Sequence, residues 1–269
     1  ELRRRPLELA ALPGALTLPG SDQDLSLTSV AALTPPTVSG EQTQATSVSL
    51  FGDYAVVTYS VVGSIAAGAV DVVDVSDPNV PVLTSQASFS NADVNASAVF
   101  GSTLYVALSG EGVVAGRSET AAVQSFGLSG GLLDVTGSQV ATVAGFVTTD
   151  IAASSAGVYV TSGTNGGVTR FDSSLSMLGE WRSDDARAVD VSGACGASPV
   201  ALYDAAQWNQ PGVHVRSEGL GFREYQRFWV TPVDGATAGL HWAGGKLFAT
   251  NGSWGVLVLG ACGETGLDS

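Results

Sequence analysis

The sequence is poor in charged residues, and most of those present are acidic. Asp, Glu, Lys and Arg make up 13% of the 269 residues, against about 25% in an average soluble protein. The 25 acidic residues outnumber the 11 basic ones and give a net charge of −14. Such a surface repels nucleic acid phosphates and anionic lipids, so neither is expected as a partner. We interpret the acidity as a solubility feature, with calcium binding as the alternative.

Cysteine and histidine are scarce as well. Cys195 and Cys262 occur in similar local sequences, SGACGAS and LGACGET. Two cysteines are too few for a disulfide-stapled scaffold. The two histidines, His214 and His241, lie outside any cluster with metal-ligand spacing, so no structural zinc site is predicted. A Cys195–Cys262 disulfide and two buried thiols both stay open.

Long apolar runs and common catalytic motifs are missing too. No stretch approaches the roughly 18 apolar residues of a membrane-spanning helix, so this segment is not expected to insert into a membrane. The sequence contains no phosphate-binding loop or H-E-x-x-H pattern. These absences argue against P-loop enzymes and zinc proteases of those types.

Glycine and short apolar segments are abundant. The chain is 45% hydrophobic and holds 34 glycines. Glycines spread between short apolar runs are typical of many short strands joined by tight turns. The composition therefore predicts a packed all-β protein.

One sequence unit recurs along the chain. It consists of an apolar alternating run, a tight turn and a second apolar run, as in SVSLFGDYAVVTYS and ASAVFGSTLYVALS. The units begin at Ser47, Ala96, Asp150, Ala188 and Ala238. Their spacing of roughly 40 to 54 residues is the period of a propeller blade.

Each unit is predicted to hold three or four strands. Turns such as Gly101-Ser102 and Gly244-Gly245 supply the positive φ angles of a tight hairpin. A third, glycine-led strand follows, as in GVTRFD from Gly167, and most units continue with a fourth. Four antiparallel strands per unit predict an all-β propeller of about five four-stranded blades, with six as the alternative.

The first 44 residues are interpreted as an N-terminal arm that closes the ring. The fifth unit lacks a fourth strand, while Leu7–Leu18 and Leu25–Leu33 have strand-like sequences. We expect the second of these to complete the last blade, because a free sheet edge invites aggregation. Residues Thr34–Gln44 are interpreted as a linker, and residues 45–269 as the blades of a single domain.

The segment Ala45–Ser90 carries a further motif. After the hairpin and the glycine-led strand, it reads Asp-Val-Ser-Asp-Pro-Asn-Val-Pro-Val-Leu at positions 74–83. With this motif the segment resembles the LVIVD repeat of bacterial cell-surface proteins. Asp77 is expected to cap a turn in which Pro78 fixes φ, and Pro81 to start an outer strand. The other units keep the hairpin but lose this sequence. The resemblance implies an exported β-propeller without a common enzymatic activity.

Candidate ligand-binding residues lie on the first strands of the units. Alignment of the units brings Asp150 level with Ser47 and Ala96, with Asp190 nearby and His241 two residues beyond Gly239. Asp150, Asp190 and His241 are therefore predicted to face a shared channel. Two carboxylates and an imidazole suit metal binding or acid/base chemistry. The alternative is that they are solvated channel residues or cap turns.

Two further features suggest surface roles. Trp208, in the loop Asp204–Gln210, is the best candidate for an exposed aromatic contact. Cys195 follows a first strand and Cys262 a third strand, which places both at the same face of a propeller. A disulfide between them would fit an oxidising compartment.

These observations favour a non-enzymatic, extracytoplasmic module that binds a protein or glycan partner or has a structural role. We expect a monomer without a cofactor, calcium being the exception left open. The alternative is a glycoside hydrolase or lyase that uses Asp150, Asp190 and His241 at a channel mouth.

Overall fold

The described part of the chain consists of β-strands and the turns between them. A computed structural model describes residues 16–17, 26–27, 29–192, 200–205, 212–217, 223–229, 238–250 and 256–259. In these ranges no helix is long and apolar enough to cross a membrane. The prediction of an all-β protein is confirmed over these residues.

Five antiparallel sheets follow one another along the chain, and we number them I to V. Sheet I contains β3 (Thr37–Val38), β4 (Glu41–Phe51), β5 (Tyr54–Val61), β6 (Gly68–Asp74) and β7 (Val82–Phe89). Sheet II contains β8 (Asp93–Phe100), β9 (Thr103–Ser109), β10 (Ala121–Ser129) and β11 (Leu132–Thr142). Sheet III contains β12 (Asp150–Ser154), β13 (Gly157–Thr161), β15 (Gly167–Phe171) and β16 (Met177–Arg182).

Sheets IV and V complete the series. Sheet IV contains β14 (Gly163–Thr164), β17 (Asp185–Val191), β18 (Val200–Asp204), β19 (Gly212–Ser217) and β20 (Arg223–Trp229). Sheet V contains β21 (Leu240–Ala243), β22 (Lys246–Thr250) and β23 (Val256–Leu259). In all five sheets, strands that are consecutive in sequence pair with each other in a meander. The exception is β14, which lies between two strands of sheet III in the sequence but pairs with β17 of sheet IV.

The strands of the five units are confirmed over the described residues, and the hairpin turns at Gly101 and Gly244 follow the expected chemistry. Gly101 and Gly244 have φ angles of 61° and 55°, a region that favours glycine. The amide of Asn79 donates to Asp77 Oδ1 at 3.0 Å, and the amide of Val80 donates to Asp77 O at 3.0 Å. The expected turn around Pro78 is therefore present.

The N-terminal region differs from its interpretation. The segment expected to be a linker holds β3 and the start of β4, and β4 crosses the boundary drawn at residue 44. Strand β4 begins upstream of residue 44, where Thr43 bonds Pro36 O through both its amide and its hydroxyl. Strands β1 (Leu16–Thr17) and β2 (Ser26–Leu27) pair with each other. Closure of sheet V by β2 stays a prediction.

The core lies between the faces of neighbouring sheets. Val56 of sheet I and Leu104 of sheet II belong to one fully buried cluster. Tyr105 of sheet II packs with Val160 of sheet III. Equivalent clusters join sheet III to sheet IV and sheet IV to sheet V. Alternating side chains on each middle sheet therefore enter two different cores, which explains why the strands are apolar on both faces.

Replacement of Leu104 by Ala tests this packing. Its side chain is fully buried between sheets I and II, so Leu104→Ala is expected to lower the free energy of unfolding by about 2–5 kcal/mol. Leu132 is 50% exposed, and Leu132→Ala should change it by no more than about 0.5 kcal/mol. Urea denaturation measures both, and equal effects would contradict the assigned core.

Candidate functional site

The first strand of each sheet lies against the first strand of the next. These strands are β4, β8, β12, β17 and β21, and neighbours in this series contact each other. Each of β8, β12 and β21 is the edge strand of its own sheet, so its outward amides and carbonyls find no ladder partner there. Buried backbone groups need hydrogen-bond partners. Side chains of the preceding sheet supply them.

A repeated β-bulge provides the first set of partners. Register shifts leave Thr46 of β4 and Asn95 of β8 without a partner residue in the ladder. Thr46 Oγ1 donates to Val94 O of the next sheet at 2.6 Å. Asn95 Nδ2 donates to Thr148 O at 2.8 Å. The bulge thus turns a polar side chain toward the following sheet.

The same link continues to sheet IV. Thr149, directly before β12, donates through Oγ1 to Ala186 O of β17 at 2.8 Å. Thr149 Oγ1 also bonds Thr161 Oγ1 at 2.8 Å, as Thr46 Oγ1 bonds Thr58 Oγ1 at 2.8 Å. These matched contacts make Thr46 and Thr149 equivalent positions of two units.

Asp150 and Asp190 form the same kind of bridge with their carboxylates. Asp150 Oδ2 accepts the amide of Val189 in sheet IV at 3.0 Å, and Oδ1 accepts the amide of Ile151 at 2.8 Å. Asp190 Oδ2 accepts the amide of Trp242 in sheet V at 2.7 Å, and Oδ1 accepts its own neighbour's amide at 2.8 Å. We call this arrangement the carboxylate bridge: one oxygen accepts an amide of the same strand, and the other accepts an amide of the next sheet.

The structure brings the three predicted channel residues together. Burial raises the pKa of Asp150 to about 7; the amide bonds oppose this shift, and the nearby Asp190 adds to it. Burial also raises the pKa of Asp190, against the bonds from Trp242 and Val191. His241 Nδ1 lies 3.5 Å from Asp190 Oδ2, and its side chain is 75% exposed.

The strand register places Asp150 level with Ala96, and Asp190 two residues beyond the corresponding position of its own strand. Asp150 faces Thr161 across its hairpin, as Ala96 faces Ala107 in sheet II. In sheet IV the residue that follows the bulge is Ala188, so Asp190 lies two positions further along its strand.

The arrangement limits the chemistry of these residues. Both oxygens of each bridging carboxylate already accept a backbone amide. Within the described ranges, no group of three or more His, Cys, Asp or Glu side chains is placed to hold a metal ion. The calcium hypothesis therefore stays a prediction without a candidate site in those ranges.

Several sequence candidates lie outside the described residues. These are Cys195, Cys262 and Trp208. Trp181 is described and is buried between sheets III and IV, where its ring lies 6.0 Å from that of His214. His214 is 8% exposed and therefore belongs to the buried part of sheet IV.

A groove that sequence reasoning missed opens between sheets II and III. Its volume is about 360 Å³, within the range of small-ligand sites. The groove lies where the first hairpins of both sheets turn, beside the turn between β15 and β16. It is lined by Phe100, Tyr105, Ser154–Val158, Asp172, Ser173 and Leu178.

One signal for the groove was present in the sequence. In the third unit, Phe171-Asp172-Ser173-Ser174 keeps part of the Asp-Val-Ser-Asp-Pro sequence of the first unit. Asp172 Oδ1 accepts the amide of Ser174 at 2.9 Å, as Asp74 Oδ1 accepts that of Ser76 at 2.9 Å. The turn therefore has the same geometry in both units. Its contact with the hairpin of sheet II depends on tertiary packing, which a local sequence pattern does not encode.

Fold and site together describe a repeat protein of successive antiparallel sheets. No family model matches the chain, and no curated protein matches it. Apo AztD from Citrobacter koseri is 11% identical at a TM-score of 0.39, and covers 92% of this chain and 76% of its own. A crystal structure of Citrobacter koseri AztD is 11% identical at a TM-score of 0.31, with 82% and 84% covered. Likeness at these values carries no inference.

The carboxylate bridge predicts an unusual pH dependence. Between the unfolded pKa of 3.8 and the folded pKa of about 7, Asp150 keeps its proton only in the folded state. Stability from this group is therefore complete at low pH and falls as pH rises toward 7. Asp150→Asn should flatten that slope in urea denaturation at a series of pH values.

Asp134→Asn is the matched control. Bonds from the Thr136 hydroxyl and amide lower the pKa of Asp134, so its stabilising effect is lost only as pH falls below about 4. The variant should leave the slope between pH 4 and 7 intact. An unchanged slope in Asp150→Asn would contradict the assignment of a protonated Asp150.

Removal of the Thr149 hydroxyl tests the link between sheets III and IV. Thr149→Val leaves the Ala186 carbonyl and the Thr161 hydroxyl without this partner, at an expected cost of about 1–3 kcal/mol in unfolding free energy. Thr149→Ser keeps the donor and should retain most of the stability. A larger loss in Thr149→Ser than in Thr149→Val would show that the methyl group, not the hydroxyl, matters.

Proposed function

We propose that the chain is an exported, non-enzymatic β-propeller that binds a protein or glycan partner. Support for the propeller comes from five successive meander sheets whose first strands are neighbours and whose faces share cores. This is how blades are arranged around a central axis. The N-terminal arm would complete the blade formed by sheet V.

The observation that carries the non-enzymatic part is the repeated carboxylate bridge. Asp150 and Asp190, the residues best suited to acid/base work, make the same two bonds in successive sheets. A catalytic pair of carboxyl groups has two distinct roles and environments. Repetition of one geometry instead supports a structural role that satisfies edge amides.

Localisation and assembly rest on the sequence. The LVIVD-like segment Ala45–Ser90 supports an extracytoplasmic propeller, and the acidic surface supports a soluble monomer in contact with the medium. The open groove beside Phe100 supports ligand binding. No cofactor is needed for such a role.

One observation favours the enzyme alternative. Burial raises the pKa of Asp150 to about 7, and electrostatic repulsion from Asp190 adds to this shift. Asp190 in turn contacts the exposed imidazole of His241. A carboxyl group with this pKa can act as a general acid near neutral pH. A glycoside hydrolase or lyase is therefore the second candidate.

Turnover assays separate the two candidates. Wild type, Asp150→Asn and Asp190→Asn would be incubated with chromogenic aryl glycosides and with uronate polysaccharides. The proposal predicts no product above the enzyme-free background in any sample. Turnover in wild type that disappears in both variants, with their melting temperatures near that of wild type, would establish the enzyme instead.

A further inference from the structure

The groove between sheets II and III has apolar walls that are open to solvent. Phe100, at the end of β8, is 44% exposed, and Leu178 of β16 is 51% exposed. Val158 and Gly157 are buried and lie beneath them. Large apolar side chains left exposed around one concave site mark a surface that a ligand covers.

The floor of the groove is fixed by hydrogen bonds. Tyr105 Oη donates to Ser173 O at 3.1 Å and so ties sheet II to the turn between β15 and β16. Arg170 Nη2 donates to Ala156 O at 2.7 Å and holds the first hairpin of sheet III. The site therefore has a defined shape before any ligand arrives, which lowers the entropic cost of binding.

The rim carries hydroxyl groups and one oriented carboxylate. Asp172 Oδ1 accepts the Ser174 hydroxyl at 2.8 Å and the amides of Ser174 and Ser176 at 2.9 and 2.8 Å. These bonds lower the pKa of Asp172, so the group is ionised at neutral pH. All three of these bonds fall on Oδ1, and Oδ2 accepts none of them.

We propose that this groove binds a single pyranose ring of a carbohydrate. The apolar C–H face of the sugar lies on Phe100 and Leu178. Its hydroxyls bond Asp172 Oδ2 and the hydroxyls of Ser155 and Ser173. This inference rests on the proposed function as a binding module and names its ligand class.

The chemistry of the rim distinguishes a sugar from the other candidates. A sugar hydroxyl both donates and accepts, and the serine hydroxyls of the rim can do the same. An ammonium group only donates, so it could bond Asp172 and the serine oxygens but would leave the serine O–H donors unused. The volume of about 360 Å³ lies near the lower end of the range for small-ligand sites, which suits a single ring.

Ligand-observed NMR with methyl glycosides tests the inference. The probes are methyl glycosides of glucose, galactose, mannose and N-acetylglucosamine, with butylammonium as the cationic probe. At least one glycoside is expected to bind wild type. Phe100→Ala and Asp172→Asn should each weaken that binding about tenfold or more.

A second phenylalanine gives a matched control. Phe146 is 76% exposed and lies in the loop that enters β12, at the opposite end of that strand from the groove. Phe146→Ala should therefore leave sugar binding unchanged. Equal loss in Phe146→Ala and Phe100→Ala would contradict the assigned site.

The remaining outcomes separate this inference from the proposed function. If only butylammonium binds, and Phe100→Ala weakens that binding, the ligand class is not a carbohydrate. The proposed function as a binding module would still stand. Absence of binding by all five probes would overturn the groove as a site for sugars. Hydrolysis of any glycoside by wild type would overturn the non-enzymatic proposal itself.

Discussion

The outward edge of each first strand is the constraint on which the rest of the structure depends. Neighbouring sheets pack face to face, so their first strands approach each other without forming a continuous ladder. Their outward amides and carbonyls must still be satisfied, because an unpaired buried backbone group costs about 1–3 kcal/mol. Thr46, Asn95 and Thr149 serve the carbonyls of the next sheet, and Asp150 and Asp190 serve its amides.

This constraint changes the interpretation of the two aspartates. In the sequence, carboxylates on first strands suggest a channel site. In the structure, the same positions bridge successive sheets, and burial in that role is what raises the pKa of Asp150. A raised pKa is thus a consequence of structural placement here, and the open polar groups that a ligand can reach lie elsewhere, in the groove near Asp172.

The sequence was sufficient for the strands because their signals are local. Apolar alternation and glycine turns are properties of a few consecutive residues, as at Gly101, and the turn at Pro78 likewise depends on its own neighbours. The bonds of Asp150 and Asp190 to the next sheet depend on tertiary contact, so no local pattern encodes them. The groove was missed for the same reason, since Phe100 and Leu178 are distant in sequence.

Amide hydrogen exchange resolved by NMR tests the central claim most directly. The amide of Trp242 lies on an edge strand, and Asp190 is its acceptor. The account predicts that this amide is protected in wild type and that Asp190→Ala accelerates its exchange far more than that of Val189, whose acceptor is Asp150. Unchanged protection of the Trp242 amide in Asp190→Ala would contradict the bridging role of the carboxylates.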